Sequence, residues 1–167
     1  MQNYSVSYDD ASRVSGYSYT VYPGWDGGAN VTRSYQYGYN NSDGSLSSMS
    51  SSLASYALNY DGLKRLSSVP VQNYSGGALF TKSYSYLSGA GTNDTTTLVS
   101  TYKVKKPTSG NFVSYTYAYD ALGNITGITD NSSNTTSSYT YDALNQLTDA
   151  TQGGVTYAYT YDKATAC

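Results

Sequence analysis

The chain has 167 residues, a net charge of −2 with nine Lys and Arg, no His, no Glu and one Cys. Without His there is no imidazole base for a Ser or Cys nucleophile and no imidazole metal ligand. One Cys excludes an internal disulfide framework and a Cys-based zinc site, and so few basic residues argue against a nucleic-acid binder held by phosphate contacts.

Tyrosine occurs 22 times, while Leu, Ile, Val and Phe are scarce. Any core must therefore be built mainly from tyrosine, whose ring removes roughly 150–250 Å² from water when buried. No apolar run approaches the roughly 20 residues that span a bilayer. Met1-Gln2-Asn3-Tyr4-Ser5 is not a signal-peptide pattern. On this reading the chain is cytoplasmic as written or a piece of something larger.

Along the chain one phrase returns: tyrosine, any residue, tyrosine, aspartate. The first copy is Tyr8-Asp9-Asp10-Ala11-Ser12-Arg13-Val14. Next comes Tyr22-Pro23-Gly24-Trp25-Asp26, a turn-rich loop with the only tryptophan. A degenerate copy, Tyr37-Gly38-Tyr39-Asn40, is followed by a serine-rich stretch. The frame is restored at Tyr60-Asp61-Gly62-Leu63-Lys64-Arg65-Leu66 and degrades at Tyr84-Ser85-Tyr86-Leu87. It is clearest at Tyr117-Ala118-Tyr119-Asp120-Ala121-Leu122-Gly123-Asn124-Ile125 and Tyr139-Thr140-Tyr141-Asp142-Ala143-Leu144-Asn145-Gln146-Leu147, and it ends at Tyr159-Thr160-Tyr161-Asp162. The residue after the second tyrosine marks the units at positions 9, 40, 61, 87, 120, 142 and 162. The shortest steps make the unit 20–22 residues long. Residues 22–30, 41–55 and 88–111 read as insertion loops inside a single array over residues 1–167.

Each unit predicts a β-hairpin. Tyrosines at i and i+2 lie on one face of a strand. Aspartate opens a turn because its carboxylate can accept from backbone N–H groups ahead of it. Gly123 and Asn145 stand where a left-handed residue closes a four-residue loop. Lys64 and Ser12 occupy the same place in their copies, so irregular turns are expected there. In the Asn40 copy Gly44 is shifted by one residue. Tyr, Thr and Val favour strand, and no 3.6-residue apolar period is sustained.

These phrases resemble the tyrosine-aspartate (YD) repeats of the Rhs family. "YDALGNITGITD", "YTYDALNQLTDAT" and "YDGLKRLSSV" carry the resemblance. It implies a sheet of hairpins that spirals into a hollow shell. Such shells enclose a toxic C-terminal segment in bacterial polymorphic toxins and insecticidal toxin complexes, and display adhesive surfaces in teneurins. It further implies a secreted or cell-surface protein, and bacterial members are prominent. The Asp-Pro core motif of cargo-carrying members is missing, and about seven hairpins are too few for a closed shell. The chain is therefore expected to be a fragment or a short array, all-β, with consecutive antiparallel hairpins in one curved, twisted, open sheet.

The structural roles then fall to Tyr8, Asp9, Tyr60, Asp61, Tyr117, Tyr119, Asp120, Gly123, Tyr139, Tyr141, Asp142, Tyr159, Tyr161 and Asp162. The Tyr-x-Tyr stripes are expected to form a buried layer, and the aspartates to cap turns rather than form catalytic or calcium-binding pairs. Trp25 and Tyr22 are the candidate ligand contacts, for carbohydrate or a cell-surface partner. Lys103, Lys105, Lys106 and Pro107 read as protection on an edge strand. Cys167 reads as an exposed terminal thiol. No catalytic residue, cofactor or metal is expected. Open strand edges make self-association a further candidate role.

Overall fold

The computed structural model describes residues 3–22, 29–89 and 95–162. Trp25 and Cys167 lie outside the described residues. The strands are β1 (Asn3–Tyr8), β2 (Val14–Val21), β3 (Val31–Tyr39), β4 (Leu46–Ser51), β5 (Ala54–Ala57), β6 (Asn59–Tyr60), β7 (Leu66–Asn73), β8 (Ala78–Ser88), β9 (Thr95–Lys105), β10 (Asn111–Tyr119), β11 (Ile125–Asp130), β12 (Thr135–Tyr141), β13 (Leu147–Gln152) and β14 (Val155–Ala158). They form one open antiparallel sheet whose hydrogen-bonded order follows the chain, with the short β6 off the path on β7. Two compact units divide it, residues 1–82 with 106–108 and residues 83–105 with 109–167.

In the first unit the alternation of the sequence sorts side chains by chemistry. Across β1, β2 and β3, Val6 faces Tyr17 and Tyr17 faces Tyr35. The Tyr17 and Tyr35 rings stack with centroids 6.4 Å apart. On the opposite face Ser5 and Ser18 share a hydroxyl hydrogen bond of 2.8 Å, and Thr20 and Thr32 one of 2.9 Å. The second unit repeats the division. Tyr115 faces Tyr102 and Tyr117 faces Ile128, while Thr129 and Thr136 pair hydroxyls on the other face at 2.9 Å. One face is aromatic and apolar, and the other is a ladder of hydroxyls.

Close packing is sparse. Among the described residues the buried side chains are Val71, Val104 and Ser114. The tyrosine stripes are not the buried layer expected of them. Tyr60, Tyr117, Tyr119, Tyr139 and Tyr141 are half-buried, whereas Tyr8, Tyr159 and Tyr161 are exposed. A lone sheet layer covers a ring only from its lateral neighbours, so burial stops halfway. Wide flat rings suit that situation better than aliphatic side chains.

Two stretches read as insertion loops contain strands. β4 lies within residues 41–55, β5 begins there at Ala54, and β9 lies within 88–111. Their Ser- and Thr-rich composition suits the hydroxyl face, which sequence complexity does not register. β9 is also not an edge strand: it lies between β8 and β10. Lys103 faces Ser114 and Lys105 faces Asn111 across the β9–β10 ladder. The lysines are exposed because their face is open to water, rather than because the strand ends the sheet.

Candidate functional site: the repeated turn and the tyrosine face

The same turn closes four hairpins. The Asp9 N–H donates to the Arg13 carbonyl and the Ser12 N–H to the Asp9 carbonyl, both at 2.9 Å. Equivalent pairs join Asp61 with Arg65 and Lys64, Asp120 with Asn124 and Gly123, and Asp142 with Gln146 and Asn145. One carboxylate oxygen of Asp120, Oδ1, accepts the N–H groups of Leu122 and Asn124, each at 2.9 Å. Oδ1 of Asp9, Asp61 and Asp142 accepts from the corresponding two amides. The carboxylate thus serves backbone donors inside a loop too tight to pair them otherwise.

The turns at Ser12 and Lys64 are regular, against expectation. Ser12 and Lys64 hold left-handed φ values of 60° and 63°, matching Asn145 at 60° and Gly123 at 87°. Hydrogen bonds from the aspartate outweigh the backbone preference, which disfavours that region by about 1–2 kcal/mol for a side-chain-bearing residue. In the Asn40 copy the loop is one residue longer, with Asn40 N–H on Ser45 O and Gly44 N–H on Asn40 O.

The sequence reading missed one turn. Asn73 replaces aspartate, its Oδ1 accepting from Ser75 N–H at 3.1 Å and Gly77 N–H at 2.8 Å, with Gly76 at φ 84°. The signal was present: Gly76 follows Asn73 by the same spacing as Gly123 follows Asp120.

The residue four after the aspartate reaches back to its second oxygen. Arg13 Nε, Arg65 Nε and Asn124 Nδ2 donate to Oδ2 of Asp9, Asp61 and Asp120 at 2.8, 2.7 and 2.9 Å. Successive turns are also linked. The Arg13 guanidinium lies 4.4 Å from the centroid of the Tyr39 ring, Lys64 Nζ pairs with Asp43 Oδ2, and Asn124 Nδ2 donates to Asn145 Oδ1 at 2.9 Å.

A second recurring bond was not legible from the motif. The later tyrosine of a repeat donates its hydroxyl to a backbone carbonyl of the preceding hairpin. Tyr39 reaches Val14 O, Tyr60 Leu46 O, Tyr119 Val99 O and Tyr141 Ile125 O, each at 2.8 Å, and Tyr161 reaches Leu147 O at 2.9 Å. The acceptors Val14, Leu46, Ile125 and Leu147 each open a return strand. The ladder shifts register beside Tyr39, Tyr60, Tyr119 and Tyr141, and beside Tyr8 as well. Tyr8 faces Val14 while Ser7 faces Gly16, so Ser15 is an extra residue. Ser47, Ser67, Thr126 and Thr148 are skipped in the same way. Such bulges re-aim side chains and increase local twist.

Hydrogen bonding favours the ionised carboxyls of Asp9, Asp61 and Asp120. Backbone N–H donation from Arg13 and Arg65 lowers the pKa of Asp9 and Asp61, and the Asn124 amide side chain lowers that of Asp120. A carboxyl more acidic in the folded than the unfolded chain stabilises fully above its unfolded value, about 4. That contribution is lost as pH falls through the folded value. Melting temperature should therefore hold from pH 7 to about 5 and fall below about 4. The variant Asp9→Asn/Asp61→Asn/Asp120→Asn, which keeps Oδ1 as acceptor, should flatten that fall in thermal melts. An unchanged acid limb would remove the turns as its cause.

On the tyrosine face of the first unit are two shallow grooves. One, of about 380 Å³, is lined by Val6, Val14, Tyr17, Tyr37 and Tyr39. The other, of about 330 Å³, is lined by Tyr35, Tyr37, Met49 and Tyr56 with Ser50 and Ser51. Tyr22 lies away from both linings and accepts a hydrogen bond from Asn3 Nδ2 at 3.1 Å. Asp162 is exposed. Among the described residues no cluster of acidic, His or Cys side chains is arranged to hold a metal ion, and no helix is long and apolar enough to cross a membrane.

Residues 119–154 match the RHS repeat family. No match was found among curated proteins. Among solved structures the chain is similar to the TcdB2-TccC3-Cdc42 crystal structure, with 18% identity, a TM-score of 0.46, and coverage of 87% of this chain and 9% of that one. It is similar to the Tc holotoxin pore of Photorhabdus luminescens bearing a TccC3 mutation, at 17% identity, TM-score 0.43, and 84% and 8% coverage. A porin-like protein from Bacteroides uniformis aligns at 13% identity, TM-score 0.42, and 93% and 86% coverage. The chain thus spans 9% and 8% of the first two proteins.

Proposed function

From the RHS repeat that this YD-repeat chain carries, we propose that it is a non-catalytic structural segment of a YD-repeat shell or cell-surface protein, secreted and bacterial, that encloses or presents a partner. The observation that supports this most is the recurring tyrosine hydroxyl-to-carbonyl bond. It ties five of the units, at Tyr39, Tyr60, Tyr119, Tyr141 and Tyr161, to the strands before them, so hairpins add without a new interface being devised. Stability is then spread over nearest-neighbour links, as in other repeat architectures. The division into a tyrosine face and a hydroxyl face gives such a segment two chemically distinct sides, and an enclosed or presented partner meets one of them.

A photo-crosslinking side chain tests this in the longest natural chain that contains the segment. Placed at Tyr117 it reports the tyrosine face, and at Thr116 the hydroxyl face. The expected result is capture of a partner polypeptide from one position and not the other. Equal capture, or none from either, counts against the reading. Specific retention on a glycan array would favour a carbohydrate-binding module instead.

A further inference from the structure

Among the described residues one tyrosine pair brings its rings closer than the others. Tyr84 on β8 and Tyr102 on β9 have centroids 5.3 Å apart and planes inclined by 36°. Aromatic pairs sit at roughly 4.5–7 Å, so this pair is near the close limit. Tyr17, by comparison, lies 5.9 Å from Tyr19 and 6.4 Å from Tyr35. Both strands of the close pair are interior ones, with β7 before β8 and β10 after β9 in the sheet order. The contact is therefore independent of what adjoins either end of the array.

Both rings are half-buried. Burial raises the phenol pKa of Tyr84, and the neighbouring Tyr102 adds to the rise, so Tyr84 is protonated at neutral pH. Neither hydroxyl makes a hydrogen bond among the described residues, in contrast to those of Tyr119 and Tyr141. Neither phenol proton is tied to a backbone carbonyl, and each can leave to water.

Two free phenols at this distance are substrates for oxidative coupling. A haem peroxidase, itself oxidised by hydrogen peroxide, takes one electron from each phenol, and each phenol gives its proton to water. The two phenoxyl radicals join through ring carbons ortho to the oxygens, one Cε from each ring. The hydrogen on each joined carbon then moves to the oxygen, which restores both hydroxyls. One hydrogen peroxide is reduced to two waters, and the chain loses two hydrogen atoms. Radicals held side by side on one chain meet without a diffusional encounter. Half-burial leaves the rings open to electron loss, while the flanking strands hinder a ring from a second chain.

We infer that Tyr84 and Tyr102 form a dityrosine crosslinking site, coupled by a peroxide-driven one-electron oxidant. The new bond closes residues 85–101 into a covalent loop and ties β8 to β9. In the chain-entropy account of crosslinks, such closure disfavours the unfolded chain. The inference goes beyond the shell reading and holds whichever partner the segment meets.

Peptide mapping by mass spectrometry tests it. The chain carrying Cys167→Ser, which removes a competing thiol, is treated at high dilution with a haem peroxidase and limiting hydrogen peroxide. The single-chain fraction should lose the mass of two hydrogens and gain dityrosine fluorescence. Its digest should contain a crosslinked peptide joining Tyr84 to Tyr102. Tyr84→Phe and Tyr102→Phe remove only unbonded hydroxyls and so keep the fold. Each should lose most of that fluorescence, whereas Tyr17→Phe should retain it. Absence of dityrosine from the single chain, a crosslink mapped mainly to another pair, a signal surviving both Phe variants, or one that vanishes on dilution overturns the inference.

Discussion

Tyr119→Phe and Tyr141→Phe are each expected to destabilise the chain by about 0.5–1.5 kcal/mol, the usual net value of an intramolecular hydrogen bond. The ring and its apolar contacts remain. What disappears is the 2.8 Å donation to Val99 O or Ile125 O. Val99 and Ile125 are half-buried residues, so water is expected to replace the lost donor only in part. The acceptors lie on different hairpins, and the double variant should lose about the sum of the two effects. At this chain length each kcal/mol corresponds to roughly 2–4 °C in Tm.

The control lies within the same motif. The hydroxyls of Tyr117 and Tyr139 make no hydrogen bond among the described residues, so Tyr117→Phe and Tyr139→Phe should stay within about 0.5 kcal/mol of the parent. If first and second tyrosines respond alike in thermal melts, the inter-hairpin bond does not distinguish them. Alkali supplies a second check. Burial raises the phenol pKa of Tyr119 and Tyr141. A phenol whose folded pKa is raised contributes stability that is complete below its unfolded value, about 10. That stability is lost as pH rises through the folded value. The Phe variants should therefore lose less stability than the parent above about pH 10.

Gly123→Val is expected to cost about 1–2 kcal/mol and Gly123→Asn well under half of that. Gly123 sits at φ 87°, where a β-branched side chain is strained. Space is not the obstacle: an added Cβ would meet Leu98 Cδ2 at 3.8 Å, ordinary contact. Asn145 fills the equivalent position at φ 60°, which shows that this turn accepts asparagine. Equal losses in the two variants would shift the explanation from backbone conformation to packing against Leu98. The same reasoning makes Ser12→Gly mildly stabilising, because it relieves a left-handed residue at φ 60°.

Much of this molecule is readable from local pattern. Tyr-x-Tyr alternation is a strand signal by itself, and Asp120 followed three residues later by Gly123 is a turn signal by itself. Both depend on interactions within a few residues, and so they survive in the linear sequence. The absence of His and Glu, with a single Cys, bounds the chemistry in the same direct way.

Other features needed neighbours that the sequence does not identify. The turn at Asn73 does not carry the phrase, because Gln72 and Asn73 stand where the motif has tyrosine and aspartate, although its amide oxygen accepts the corresponding two backbone donors. β4, the start of β5 and β9 read as loops because Ser and Thr form poor cores. On a sheet with one open face they are good strand residues. The reach of Tyr141 to Ile125 O spans 16 positions and depends on which strand lies alongside. Half-burial of the stripes, likewise, follows from the sheet having one layer. Repeating local chemistry decided the hairpins. Lateral order within the sheet decided which hydroxyls are bonded and how far each ring is covered, because those are properties of neighbours rather than of residues.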